Sequence, residues 1–308
     1  MTEAVLLLNN ALLLGLCFSG LALSLVFSLR FLNFPDLTIE GSFPLGGAVG
    51  SVCLLHTGSL PLALGAAVAS GLVAGCCTAS LHIFFRVGKL LSGILMLAML
   101  YSVCLRALGG SNISLLGSQS WFSTLERIDG SWGALSIGPT DPAKIGFLLL
   151  LIGAILIAAH RFFCSRTGVA IRSIGDNERV LVNLGRDPRP YKFLALALGN
   201  GAAALAGILV AMNQGFADVG MGQGGLVLGL AALIVGEQTV GRLIGARRIV
   251  LALLVAGVVG SVLYQLALLI ALRLGIAPSD LKLFTALIVL GAMVVTRGGS
   301  VFYEERTF

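Results

Sequence analysis

Eight unbroken apolar runs of 19 to 26 residues, and a ninth of 13, dominate this 308-residue chain. A helix rises 1.5 Å per residue, so about 20 apolar residues cross the roughly 30 Å hydrocarbon core of a bilayer. The runs are Ala4–Leu29, Thr38–His56, Pro61–Phe85, Leu90–Leu108, Ala143–Phe163, Tyr191–Asn213, Gly225–Ile244, Ile249–Leu272 and Leu283–Val295. None alternates apolar and polar residues as a membrane barrel strand does. Charged residues make up 11% and hydrophobic ones 57%, against about 25% and about 45–50% in a soluble domain. Too little charge remains to cover a water-facing surface, which excludes a soluble globular domain, and a disordered chain would be apolar-poor. The expectation is an all-α polytopic membrane protein of about 8–10 transmembrane helices, in one domain over residues 1–308. Gly41, Pro44, Gly46 and Gly47 predict an interruption of the second run.

Lys and Arg are retained on the cytoplasmic side of a membrane protein. In a nine-span arrangement, 15 of the 20 basic residues fall on one side. The other side has only Arg106, Arg127, Lys144, Arg273 and Lys282. The N-terminus is therefore expected outside and the C-terminus inside. The formal charge of +6 becomes a topology signal, and a nucleic-acid partner loses its support.

The six cysteines lie in or at the ends of apolar runs without CxxC or Cys/His spacing, and read as small buried hydrophobes. With three histidines in the whole chain, no metal site is expected. His56 and His160 fall at span ends and read as interfacial, whereas His82, inside its run, stands as a candidate functional residue. No Ser/His/Asp or Cys/His arrangement has supporting context, so no catalytic residue is assigned. A Gly-x-x-x-x-Gly-Lys-Ser/Thr loop is absent, so the chain is not expected to hydrolyse ATP by that route.

Two polar loops stand out. The outer one, Gly109–Pro142, holds both tryptophans, Trp121 and Trp132, and reads either as an interfacial aromatic belt or as a docking surface for an external protein. The inner one spans residues 164–190. From Arg161 to Lys192 it carries seven basic and three acidic residues. Asp176 or Asn177 caps a short helix, Glu178 sits in its first turn, Val180, Leu181 and Leu184 form its apolar face, and Gly185 stops it. Arg186-Asp187-Pro188-Arg189-Pro190 then makes a rigid turn. The apolar edge, rimmed by Arg172, Arg179 and Arg186, either fits a groove on another protein or is a solvated basic loop on an anionic leaflet.

Ionisable groups within or beside membrane spans are default pathway candidates. Asp36, Thr38 and Glu40 qualify, beside Pro35 and before the glycine-rich stretch. They either line a polar site at a broken helix or cap and open a helix at the inner face. Gln214–Gly225, with Asp218 and Gly220, Gly222, Gly224 and Gly225, reads as a re-entrant turn or as an ordinary connection. Asn200 and Asn213 are polar groups suited to the pathway or to interhelical hydrogen bonding. Ser70-x-x-x-Ala74, Gly71-x-x-x-Gly75 and Gly225-x-x-x-Gly229 are ridges for close helix contact, within a subunit or across a dimer.

Gly168-Val-Ala-Ile-Arg-Ser-Ile-Gly-Asp-Asn177, then Asn183-Leu184-Gly185, then Tyr191-Lys192 and Gly199–Gly207 resemble the cytoplasmic coupling loop and following helix of ABC importer permeases of the branched-chain amino acid and ribose type. Asn33-Phe-Pro-Asp-Leu-Thr-Ile-Glu-Gly-Ser-Phe43 is similar to the segment that opens an early span in these permeases. This run, Leu100–Arg106 and Gly109–Asn112 are most similar to the subgroup paired with tryptophan/tyrosine-type binding proteins. The resemblance covers about residues 10–300. It implies a type II ABC importer-like permease fold in the bacterial cytoplasmic (inner) membrane and no cofactor on this chain, with ATP and Mg bound by separate ATPase subunits. It also implies an extracellular or periplasmic substrate-binding protein, a second copy of the chain, and a small solute, an aromatic amino acid by subgroup analogy. Residues Arg172, Gly175, Asp176, Asn177, Glu178, Arg179, Leu181, Leu184, Gly185 and Arg186 would then face the ATPase. Glu237 with Arg242 reads as a surface or ATPase-facing pair. The rival reading is a secondary active transporter or channel working without an ATPase. A secondary transporter would place carboxylates deep in opposed helices and show inverted repeats, whereas most acids here lie at span ends and no clear repeat is found.

Overall fold

The computed structural model describes residues 2–115, 142–241, 249–277 and 280–296. Its helices are α1 (Thr2–Leu25), which runs into a π-helical turn (Val26–Phe31), α2 (Thr38–Thr57), α3 (Leu60–Ile83), α4 (Lys89–Leu108), α5 (Pro142–Cys164), α6 (Arg166–Asn183), α7 (Arg189–Gln214), α8 (Gly225–Gly241), α9 (Ile249–Arg273) and α10 (Leu281–Thr296). Two short strands, β1 (Asn112–Ser114) and β2 (Phe216–Asp218), pair antiparallel, and a 3₁₀ turn (Val219–Gly222) joins β2 to α8. Among the described residues, eight helices are long and apolar enough to cross a membrane. The 16-residue α10 is shorter than a usual span. Trp121, Trp132 and most of the outer loop lie outside the described residues, as does Arg242.

In lipid, helices gain little from burying apolar surface against one another and associate where small residues admit close backbone approach. α7 is the centre of such contacts. Gly46 lies on Ala204 and Gly50 on Ile208, so α2 and α7 advance together and run parallel. Gly71 meets Asn200 and Gly75 meets Leu196, so α3 runs antiparallel to α7. The Gly71/Gly75 ridge thus packs within the subunit. Gly225 and Gly229 likewise seat Leu21 and Leu25 of α1. α9 packs antiparallel to α1, where Ser261 donates to the Gly15 carbonyl at 2.8 Å, and to α8, through Gly236 and Gly260.

The expected interruption of the second run is corrected by the structure: α2 continues through Pro44. Proline removes one ladder bond and leaves the carbonyl four residues earlier free. That carbonyl, Glu40 O, lies against Gly222 of the 3₁₀ turn. Meanwhile Gly46, Gly47 and Gly50 are filled from outside by α7 and Met221, so the helix stays whole.

Glu237 has a distant partner. It accepts from Arg30 Nε at 2.6 Å and pairs with the guanidinium through both oxygens, tying the π-helical turn to α8.

Candidate functional site

The chain enters α2 through Asn33-Phe34-Pro35-Asp36-Leu37. Asp36 Oδ1 accepts from the Thr38 backbone N–H at 2.9 Å, satisfying one of the free donors at the start of a helix. Its Oδ2 accepts from Asn200 Nδ2 at 2.7 Å, and Asn200 Oδ1 accepts from the Ser42 hydroxyl at 2.7 Å. Asn200 also donates to the Leu196 carbonyl at 2.9 Å. The Thr38 and Thr78 hydroxyls share a 2.8 Å bond, and Thr78 reaches back to the Ala74 carbonyl. Asp36 is 1% exposed, and Thr38, Ser42, Thr78 and Asn200 are 0% exposed. The cluster therefore joins α2, α3 and α7 as a sealed polar joint, with each side chain bonded to another.

Sealed polar groups are costly to orphan. Asn200→Leu takes the partner from Asp36 Oδ2 and from the Ser42 hydroxyl, and is expected to destabilise the protein by about 3 kcal/mol. The nearly isosteric Thr78→Val, which removes one neutral bond, should cost about 1 kcal/mol. Thermal unfolding in detergent separates the two, and equal midpoints would contradict the joint.

Glu40, one turn further along α2, is set apart from this joint. Its Oε1 accepts from Gly224 N–H at 2.6 Å. Gly224 immediately precedes α8, and Gln223 and Gly224 are exposed. β2 and the 3₁₀ turn thus descend along α2 to the level of Glu40, which is 17 residues, or about 25 Å, from the Thr57 end of the helix. Gly225 accordingly starts α8 against Leu21, in the body of α1. Asp218 caps the 3₁₀ turn by accepting from Gly220 N–H at 2.6 Å, and Asn213 lies near the far end of α7. Of the six sequence-selected pathway residues, the structure brings together Asp36, Thr38 and Asn200, and leaves Glu40, Asn213 and Asp218 outside that joint. Ser42 and Thr78 were missed. Their signal was a hydroxyl at helical spacing within an apolar run, which sequence alone does not distinguish from a Ser or Thr bonded to its own helix.

On the basic side, Ser165 opens α6 by accepting from Gly168 N–H. Helical geometry breaks at Asn177, with φ −159° and ψ 110°. Asn177 Oδ1 then accepts from Arg179 N–H at 3.0 Å, capping a second short helix over 178–183 as the sequence predicts. Gly185 closes it with φ +70°, a left-handed conformation that suits glycine, while Arg186 N–H bonds the Leu181 carbonyl at 3.0 Å. Leu181 is buried, whereas Val182 and Leu184 are 56% and 72% exposed. Glu178 pairs with Lys192 Nζ at 2.7 Å, fastening this helix to the start of α7. Asp176, Asn177 and Arg179 are exposed, and Gly175 lies against the Phe31 carbonyl. A helix over 166–176 precedes the break; its packing on Phe163 and the π-helical turn supplies the order that its polar sequence does not advertise. His82 donates from Nδ1 to the Val87 carbonyl at 2.8 Å and meets Phe34 edge-on.

Residues 7–296 match the family described as the permease component of branched-chain amino acid transport systems. The chain is 33% identical to the tyrosine transport system permease protein of Clostridioides difficile, over 90% of this chain and 86% of that one. An uncharacterised protein of Rickettsia prowazekii is 32% identical, over 92% and 95%. The galactofuranose transporter permease protein of Escherichia coli is 26% identical, over 84% and 71%. No solved structure matches the chain.

Proposed function

Because the chain belongs to the family of permease components of branched-chain amino acid transport systems, we propose that it works as a homodimeric pathway for an aromatic amino acid in the bacterial cytoplasmic membrane. It is a multi-pass ABC importer permease. Permeases of this kind act with ATPase subunits and a substrate-binding protein. ATP binding and hydrolysis belong to those partners.

The observation that carries the coupling role is the short helix over 178–183, which is capped by Asn177, closed at Gly185 and fastened by Glu178 to Lys192. A rigid helix with an apolar edge fits a groove on a partner, and its ion pair to α7 passes a push on that edge into the helix at the centre of the fold. Arg172, Gly175, Asp176, Arg179, Leu181 and Arg186 surround or support it. Asp36, Thr38 and Asn200 hold α2, α3 and α7 in register behind the pathway. Glu40, Asp218 and Asn213 mark its course along the re-entrant segment. The tyrosine permease relative supports an aromatic amino acid over a sugar as the solute.

Affinity purification in mild detergent should bring an ATPase subunit with the permease at one copy each. Proteoliposomes holding the complex should then accumulate tyrosine when ATP and the cognate binding protein are supplied. Reproducible purification without an ATPase would refute the ABC mechanism in favour of a secondary transporter, and an active complex that ignores tyrosine would refute the solute assignment alone.

A further inference from the structure

A carboxylate in the inner half of a bilayer is expensive and needs a counter-charge, hydrogen bonds or water. Thr38 bonds Thr78, five residues before the end of α3, so Glu40 lies roughly 10 Å inside the basic-side helix ends. No cation pairs with it among the described residues. Its Oε1 takes the Gly224 N–H, and Oε2 has no partner among them. Glu40 is only partly buried, with exposed Gln223 and Gly224 beside it. Lipid cannot cover such a group cheaply, whereas a water-filled pathway can. The amide bond at the start of α8 also holds one face of the carboxylate in place. What stays open is a fixed anion with one free acceptor oxygen.

We propose that Glu40 is the solute-recognising cation site of the pathway, taking the ammonium group of an α-amino acid on Oε2 while Gly224 N–H holds Oε1. This rests on the transport reading above and extends it. A sugar has no cation to offer this oxygen, and an anionic solute would be repelled by it. The carboxylate therefore selects amino acids over other small polar solutes at a step after delivery by the binding protein.

The test uses the permease–ATPase complex carrying Gln223→Cys, reconstituted in proteoliposomes in nucleotide-free and ATP-bound states. Methanethiosulfonates bearing a trimethylammonium or a sulfonate group are applied, and modification at position 223 is read by peptide mass spectrometry. With Glu40 present, the cationic reagent should react at least tenfold faster than the anionic one, after correction for their rates with a free thiol. Adding Glu40→Gln, which preserves an acceptor for Gly224, should bring the ratio to within twofold of unity. Equal rates with Glu40 intact, or no modification in either state, would overturn the site. This arm needs no solute, so it decides the site whether or not tyrosine is the cargo. In the uptake arm, Glu40→Gln alone should lower tyrosine accumulation at least tenfold at unchanged ATPase stoichiometry, with partial recovery in Glu40→Asp. Unchanged uptake would also overturn the proposal. A complex that lacks an ATPase even with the natural sequence would instead count against the transport reading.

Discussion

Leucine in place of Gly207 is expected to remove folded protein from the membrane. Gly207 lies where α7 crosses α2, and a Cβ there would fall inside contact distance of the Phe43 carbonyl oxygen and next to Gly47 N. Both atoms are backbone, so no rotamer change relieves the clash. The two helices would have to separate, and separation would break the bond from Ser42 to Asn200, about two turns earlier on α7. Overpacking a well-filled contact typically costs about 1–3 kcal/mol. With a rigid obstacle, Gly207→Ala should sit at the upper end, near 3 kcal/mol, and Gly207→Leu beyond what the fold tolerates. Gly65 provides the control, because nothing lies within 4 Å of its Cβ position. Gly65→Ala should leave membrane levels and the detergent unfolding midpoint unchanged. A Gly207→Leu protein that accumulates normally would show that the α2–α7 seam does not bear the packing assigned to it.

Leu184→Asp should abolish coupled uptake while leaving the permease folded. Leu184 is 72% exposed, and with Val182 it forms the outward edge of the helix over 178–183. An exposed side chain contributes little to the stability of the isolated subunit, so levels in the membrane and the unfolding midpoint should not move. Burying an aspartate in an apolar groove of an ATPase is costly, however, since the charge loses water without gaining a partner. The expected result is loss of the ATPase on purification and at least a tenfold fall in tyrosine accumulation. Leu181→Asp differs in kind: Leu181 is 3% exposed, so that change should lower stability as well. Full ATPase recovery with Leu184→Asp would place the docking surface elsewhere.

Much of the architecture was legible beforehand because its signals are local. The length of an apolar run reports a span whatever its neighbours do. Asn177, Glu178 and Gly185 announced a short capped helix from chain chemistry alone, and the structure has it. The interruption expected at Gly41–Gly47 failed for an equally specific reason. Those residues read as helix breakers, yet Gly41 seats Leu97 and Leu100 of α4, and Gly46 and Gly47 form the flat surface on which α7 and Met221 rest. Glu237 bonds Arg30, 207 positions away in the chain, a partner that no local spacing announces. The helix over 166–176 lacked an apolar run and became visible only through its packing against Phe163 and Phe31.

By itself, the sequence determined the solvent, the number of long apolar helices, the uneven placement of basic residues, and the capped segment on the basic side. The tertiary structure decided which faces meet. It joined Asp36 to Asn200 across 164 positions, and it drew the glycine-rich stretch down alongside α2 until Gly224 reached Glu40. The physical reason is that a helix apolar all round, as a lipid-facing one is, carries no amphipathic stripe to say which side turns inward. Partner choice passes to the fit of small residues and to a few polar bonds, and both exist only once the helices are side by side.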